Sequence, residues 1–238
     1  MDIKDRVALV TGGAIGIGRA IALALASAGA EVVVCDINGA GAQETASMAP
    51  AGRCQPEMID VTDPDELGRL IRDVRPEILV NNAGGGGHIP PHFPDAPREH
   101  WQRLVTLNLL ASMWATQEAL GPMRAAGQGA VVNVASTAGL GLAPYQSPEY
   151  GAAKAGLIRF TSTLTGLHGV RVNCLVPDWV ATERVSEAER ATVPPPIPLG
   201  AVTAATLRLI TDDSLSGRIL VLDRGQAPRL LDVELTPR

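Results

Sequence analysis

Tyr150 and Lys154 stand four residues apart in the segment Tyr150-Gly151-Ala152-Ala153-Lys154. On a helix that spacing brings both side chains out on one face, about one turn apart. A free phenol ionises only near pH ~10, so a tyrosine that exchanges protons near neutrality needs an adjacent ammonium to favour the phenolate. Ser147, Pro148 and Glu149 read as an N-cap, a first-turn proline and a first-turn carboxylate. They set Tyr150 near the positive end of the helix dipole, which also favours the anion. Ser136 follows the apolar stretch 130–134, and a hydroxyl at the end of a parallel strand can hydrogen-bond a carbonyl or alcohol oxygen. The other tyrosine, Tyr145, has Glu149 rather than a lysine four residues on, which leaves Tyr150 as the candidate acid/base.

A second chemical feature lies near the start of the chain. Gly12, Gly16 and Gly18 are spaced G-x-x-x-G-x-G within Thr11-Gly12-Gly13-Ala14-Ile15-Gly16-Ile17-Gly18. A strand that turns sharply into a helix needs residues without Cβ, so that backbone N–H groups and the helix end can approach a pyrophosphate. Asp36 follows 24 residues after Gly12, at the end of the next apolar stretch. An acidic side chain there accepts hydrogen bonds from adenosine ribose hydroxyls and repels a 2′-phosphate, so the cofactor expected is NAD rather than NADP. Neither Ile15 nor Ile37-Asn38 offers the basic residue that a 2′-phosphate needs.

These groups need elements to hold them. Val7 to Val10, Glu31 to Asp36, Ile78 to Val80 and Ala130 to Val134 are short, mainly apolar runs that give way to Gly, Asp, Asn or Ser, as strands buried on both faces of a parallel sheet do. Further strands are expected over 170–176 and 219–222, with helices over 19–28, 65–74, 99–126 and 148–166. That alternation predicts a Rossmann-type doubly wound α/β sheet in a single domain, 1–238. Pro194-Pro195-Pro196 and Pro198 forbid a continuous helix, so a proline-rich substrate loop is expected at about 182–200.

At this point the sequence resembles the short-chain dehydrogenase/reductase family over nearly its whole length. The resemblance rests on the glycine loop, Asp60-Val61, Asn81-Asn82-Ala83-Gly84, Ser136 and the Tyr150/Lys154 pair, in that order. It implies that Asn108, Ser136, Tyr150 and Lys154 are catalytic. Asn108 would anchor a water that relays protons from Lys154, and Lys154 would also hold the nicotinamide ribose. It implies cofactor contacts from Gly12, Gly16, Ile17, Gly18, Asp36, Asp60 and Val61. Asn82, Ala83 and Gly84 would support the adenosine side, and Pro177, Val180 and Thr182 would clamp the nicotinamide. The implied reaction moves a hydride between C4 of the nicotinamide and a small-molecule alcohol or carbonyl substrate, with Tyr150 exchanging the proton on oxygen. A homotetramer or dimer built on the helices that carry Asn108 and Tyr150 is implied too.

One departure stands out, since the family's Pro-Gly is here Pro177-Asp178 and sets a carboxylate near the nicotinamide end. It motivates an alternative, a catalytically degenerate NAD(H)-binding scaffold or sensor. A second alternative is an NADP-dependent 3-oxoacyl reductase. Against an acyl-carrier-protein substrate, residues 125–129 lack the basic groups that such a partner needs.

Composition narrows the rest. A net charge of −5 without a Lys/Arg run argues against nucleic acid and anionic membranes as partners. With 46% hydrophobic and 19% charged residues the chain can bury a core, which excludes disorder as its main state. Cys35, Cys54 and Cys174 are odd in number and widely spaced, so neither a disulfide framework nor a metal pair is expected and a cytoplasmic setting fits. His88 and His92 flank Pro90-Pro91, which rules against a helical metal pair, and no metal is expected.

Overall fold

The computed structural model describes residues 1–50, 52–141 and 146–231; Tyr145 lies outside them. Along the chain run β1 (Val7–Thr11), α1 (Gly16–Ser27), β2 (Glu31–Asp36), α2 (Gly39–Met48), β3 (Cys54–Met58), α3 (Pro64–Val74) and β4 (Ile78–Asn81). There follow α4 (Arg98–Val105), a π-helical turn (Thr106–Leu110), α5 (Ala111–Ala126), β5 (Gly129–Val134), α6 (Pro148–Thr163) and β6 (Val170–Pro177). The chain continues through α7 (Glu187–Arg190), α8 (Leu199–Thr211), β7 (Ile219–Leu222) and β8 (Arg229–Leu230). The strands form one sheet in the order β3-β2-β1-β4-β5-β6-β7-β8, parallel except for the antiparallel β7–β8 pair. This is a Rossmann-type doubly wound fold.

The apolar runs are unbroken because helices cover both faces of the sheet. Ala8 and Val10 pack with Leu25 and Leu209 on the α1/α8 side, while Leu9 between them packs with Leu67 and Met123 on the α3/α5 side. Each such side chain contributes about 1.5–3 kcal/mol relative to exposure. The sequence order reverses between β1 and β4, which opens a crevice beyond their carboxyl ends.

Buried amides tie the centre of the sheet together. Asn81 Nδ2 donates to Asn133 Oδ1 (2.8 Å) and to Thr116 Oγ1 (3.2 Å), and Asn133 Nδ2 donates to Thr161 Oγ1 (2.9 Å). One network therefore joins β4, β5, α5 and α6.

Several boundaries differ from the sequence reading. Helix α1 starts at Gly16 rather than 19, because two glycines without Cβ let its first turn close against the loop. The helix expected over 99–126 is interrupted by the π turn at Thr106–Leu110. The loop expected over 182–200 ends at Pro198, before α8 begins at Leu199, and it holds the short helix α7. An isolated bridge from Val180 to Ile197 ties its two ends together. Cys35 and Cys174 are buried within strands, Cys54 is half-buried in β3, and all three are free thiols.

Candidate active site

Above the crevice lies a cleft of about 430 Å³ lined by both chemical features found in the sequence. Its floor is the glycine loop. A Cβ on Gly12, at φ +67°, would lie 2.7 Å from the Ala83 Cα, and one on Gly18 would lie 2.1 Å from the Gly12 carbonyl oxygen. The loop is thus packed on Asn82-Ala83 and on itself as no side chain permits. Asn82 Nδ2 locks it by donating to the carbonyls of Thr11 (3.0 Å) and Gly12 (2.9 Å). Helix α1 starts at this loop with Ile15 at its N-cap, no side-chain cap and no acid in its first turn. Its first N–H groups are thereby left for a ligand, and an anion suits them.

Asp36 stands at the far side, with Oδ2 accepting from the Ala14 N–H (3.0 Å) and Oδ1 from the Asn38 N–H (2.9 Å). Those bonds fix the carboxylate at the cleft wall and leave lone pairs for hydroxyls. Asp60 accepts from the N–H and the hydroxyl of Thr62 and from Arg103. Burial raises its pKa, but these partners outweigh burial and hold the carboxyl below its ordinary value.

Lys154 is 3% exposed; its Nζ donates to the Val134 carbonyl (3.0 Å) and stands 5.8 Å from the centroid of the Tyr150 ring. Burial pulls its pKa down to about 8, so near neutrality the ammonium is the main form, yet close to titrating. The Cys174 thiol beside it is pushed up to about 12 by burial and stays neutral. A Cβ on Gly84 would lie 2.8 Å from Asn108 Oδ1 and 3.1 Å from Lys154 Nζ, so the amide and the ammonium both face the Gly84 backbone.

The π turn places Asn108. A π turn redirects backbone N–H groups one residue further back, which frees i−4 carbonyls. Asn108 Nδ2 takes up that of Leu104 (2.9 Å) and also donates to the Gly85 carbonyl (2.9 Å), while its Oδ1 accepts the Gly85 N–H (2.9 Å).

Of the residues expected here, Gly12, Gly16, Ile17, Asp36, Asp60 and Val61 line the cleft. Asn82, Ala83, Gly84, Tyr150, Lys154 and Thr182 line it too. Gly18, Asn108, Ser136, Pro177 and Val180 are not among the lining residues. Gly18 and Asn108 sit directly behind the wall, as described. Ser136 Oγ accepts the Ala138 N–H (3.2 Å), capping a short 3-10 turn.

Two expectations are corrected. Ser147 occupies the N-cap position of α6 but its hydroxyl makes no cap bond, and the Glu149 carboxylate turns to His92. Asp178 is not a bare charge: its Oδ2 accepts from Arg224 Nε (2.9 Å) and its Oδ1 from the Thr137 hydroxyl (3.4 Å). The cleft also recruits Arg103, Leu107 and Arg184, which sequence reasoning missed. A signal existed for the first two, four residues apart on the helix that leads to Asn108. No group of three or more metal-ligating side chains occurs among the described residues.

A family model described as short chain dehydrogenase matches residues 6–192. A mouse (Mus musculus) (3R)-3-hydroxyacyl-CoA dehydrogenase is 32% identical over 221 residues, covering 83% of this chain and 84% of its own length. A D-beta-hydroxybutyrate dehydrogenase of Rhizobium meliloti is 35% identical over 197 residues, 76% of this chain and 74% of its own. Among solved structures, a 3-oxoacyl-[acyl-carrier protein] reductase from Brucella melitensis with bound NAD superposes with a TM-score of 0.84 at 30% identity. It covers 94% of this chain and 92% of that one.

Proposed function

The chain belongs to the short chain dehydrogenase family and is a dehydrogenase/reductase acting on CH–OH groups, and from that premise we propose that it prefers NAD(H) and uses Tyr150 as its acid/base. The observation that carries the reading is the pairing of Tyr150 with the buried Lys154 ammonium at the cleft that also holds the glycine loop and Asp36. The cleft's residues fit a dinucleotide: an uncapped helix end for its phosphates, a carboxylate for its ribose hydroxyls and a lysine at the opposite end. When bound, that cofactor supplies or accepts the hydride.

The protein's own part is binding, orientation and proton movement. Gly12, Gly16, Ile17 and Gly18 form the phosphate cradle, with Asp60 and Val61 at the adenine side and Asn82-Ala83-Gly84 packed against the loop. Pro177, Val180 and Thr182 belong to the segment that would hold the nicotinamide. Tyr150 Oη gives its proton to the nascent alkoxide during carbonyl reduction and takes it back during oxidation. Lys154 stabilises the phenolate between those events and orients the ribose, and Asn108 holds the Gly84-Gly85 backbone beside the Lys154 ammonium. Ser136 would steady the substrate oxygen by turning its hydroxyl from the Ala138 N–H. The substrate class that the relatives' activities support is a 3-hydroxyacyl or 3-oxoacyl compound. Asp36 supports NAD(H), since its carboxylate would face a 2′-phosphate. No observation favours the degenerate-scaffold alternative once Asp178 is paired with Arg224. Assembly into a homodimer or homotetramer through the helical stretch that carries Asn108 and through α6, which carries Tyr150, is part of the proposal; sedimentation as a monomer at micromolar concentration would contradict it.

Calorimetric titration with NADH and NADPH tests the cofactor assignment without a known substrate. Micromolar NADH binding with NADPH at least tenfold weaker is expected, and Asp36→Asn should narrow the gap. Equal affinities in the wild-type protein would overturn the preference.

A further inference from the structure

Glu149 is a carboxylate with 6% exposure, one residue from the proposed acid/base. A first-turn carboxylate usually points to water, and burial raises its pKa. Here hydrogen bonds outweigh that cost and hold the carboxyl below its ordinary value: its own backbone N–H, His92, and the Phe93 N–H. Glu149 Oε1 lies 3.1 Å from His92 Nδ1, and Oε2 accepts the Phe93 N–H at 3.4 Å. The His92 carbonyl in turn accepts the N–H groups of Asp95 and Ala96, closing the turn that leads into α4.

The chain between β4 and α4 is therefore pinned twice. Asn108 holds Gly85 through both of its backbone polar groups, and Glu149 holds His92 and Phe93. Between the two anchors runs Gly87, against which the Tyr150 ring rests: a Cβ on Gly87 would lie 2.6 Å from Tyr150 Cγ. This backbone forms one wall for the phenol, and Ile89 and Phe93 present exposed apolar surface on the same segment.

We propose that Glu149 is a positioning residue whose clamp on His92 and the Phe93 N–H holds the 85–96 segment against the Tyr150 ring and so fixes the phenol for proton transfer. The inference rests on the assignment of Tyr150 as acid/base. A buried hydrogen-bonded contact fixes one docking position for the segment, because removing either partner leaves the other's polar group unsatisfied.

The test compares Glu149→Ala, Glu149→Gln and His92→Ala in the full-length protein. It reads amide hydrogen exchange over 85–96, the NADH dissociation constant, and kcat and KM with a short 3-oxoacyl thioester. Glu149→Ala is expected to speed exchange over 85–96 and lower kcat at least tenfold, with NADH affinity within twofold of wild type. Glu149→Gln keeps an oxygen for the Phe93 N–H and should recover most of kcat, which a loss of general stability would not allow. Unchanged exchange and kcat in Glu149→Ala would overturn the proposal, as would parallel loss of NADH binding in all three variants. Should Glu149→Ala not fold, His92→Ala and Glu149→Gln carry the same comparison. Should the wild-type protein turn over no thioester, the proposed reaction fails, while the exchange measurement still decides whether the clamp holds the segment.

Discussion

At the residue scale the decisive group is Lys154, whose ammonium is buried with one carbonyl as acceptor and a phenol ring nearby. Its pKa of about 8 in the folded protein lies below the ordinary 10.5, so between those values the unfolded chain binds more protons than the folded one. Stability from this group must then rise with pH across that window, and the cost of the buried charge is fully present below pH ~8. Lys154→Met removes the term. In urea unfolding without cofactor, the variant's stability relative to wild type should fall by about 1–3 kcal/mol between pH 7 and pH 10. A constant difference would show that the lysine does not titrate in that window. The same titration sets the activity profile, since kcat/KM for carbonyl reduction should fall as pH rises through about 8. Tyr150, Lys154, Asp36 and the glycines were legible in the sequence because their chemistry depends on type and spacing along one element. The Glu149–His92 contact was not, since its partners lie 57 residues apart and meet only through the fold.

The element scale explains why the glycine loop and the sheet centre tolerate little change. At Gly18 the obstacle to a methyl group is backbone, the Gly12 carbonyl, which cannot rotate away. Gly18→Ala is therefore expected to displace the loop and weaken NADH binding at least tenfold, read by titration, while thermal unfolding stays cooperative. In the sheet, Asn133→Leu removes the acceptor of Asn81 and the donor to Thr161. Its expected cost is about 1–3 kcal/mol in urea unfolding, and a neutral result would show that the network is dispensable. Strands were legible where both faces are buried, as in β1, β4 and β5, because such runs carry no polar residue until their ends or an amide network. The residues of strand β3 gave it no bounds, since it lies at the sheet edge with Pro56 in it and mostly uncovered side chains. Helices α2 and α8 also escaped the pattern. In α2 small residues dominate and blur the periodicity, and α8 follows directly on the proline run that marks a loop. The π turn at Asn108 has no local sequence signature.

For the whole molecule, the parallel sheet, with its order reversing between β1 and β4, brings residues from distant parts of the chain to one cleft. Binding there is linked to global stability. NADH at one hundred times its dissociation constant stabilises the folded state by about 2.7 kcal/mol, which for a chain of this size raises Tm by roughly 5–10 °C. NADPH at the same concentration should shift Tm by less, and an equal shift would count against Asp36 as the discriminating group. No helix among the described residues is long and apolar enough to cross a membrane.

The most direct test of the account is the rate of NADH consumption with a short 3-oxoacyl thioester, wild type against Tyr150→Phe, both saturated with NADH. The phenylalanine keeps the ring against Gly87 and loses only the hydroxyl. A fall in kcat of at least about 100-fold with NADH affinity preserved is the expected result. A variant that turns over at the wild-type rate would contradict the assignment of Tyr150 as the acid/base, and with it the reading of the cleft as the site of proton transfer.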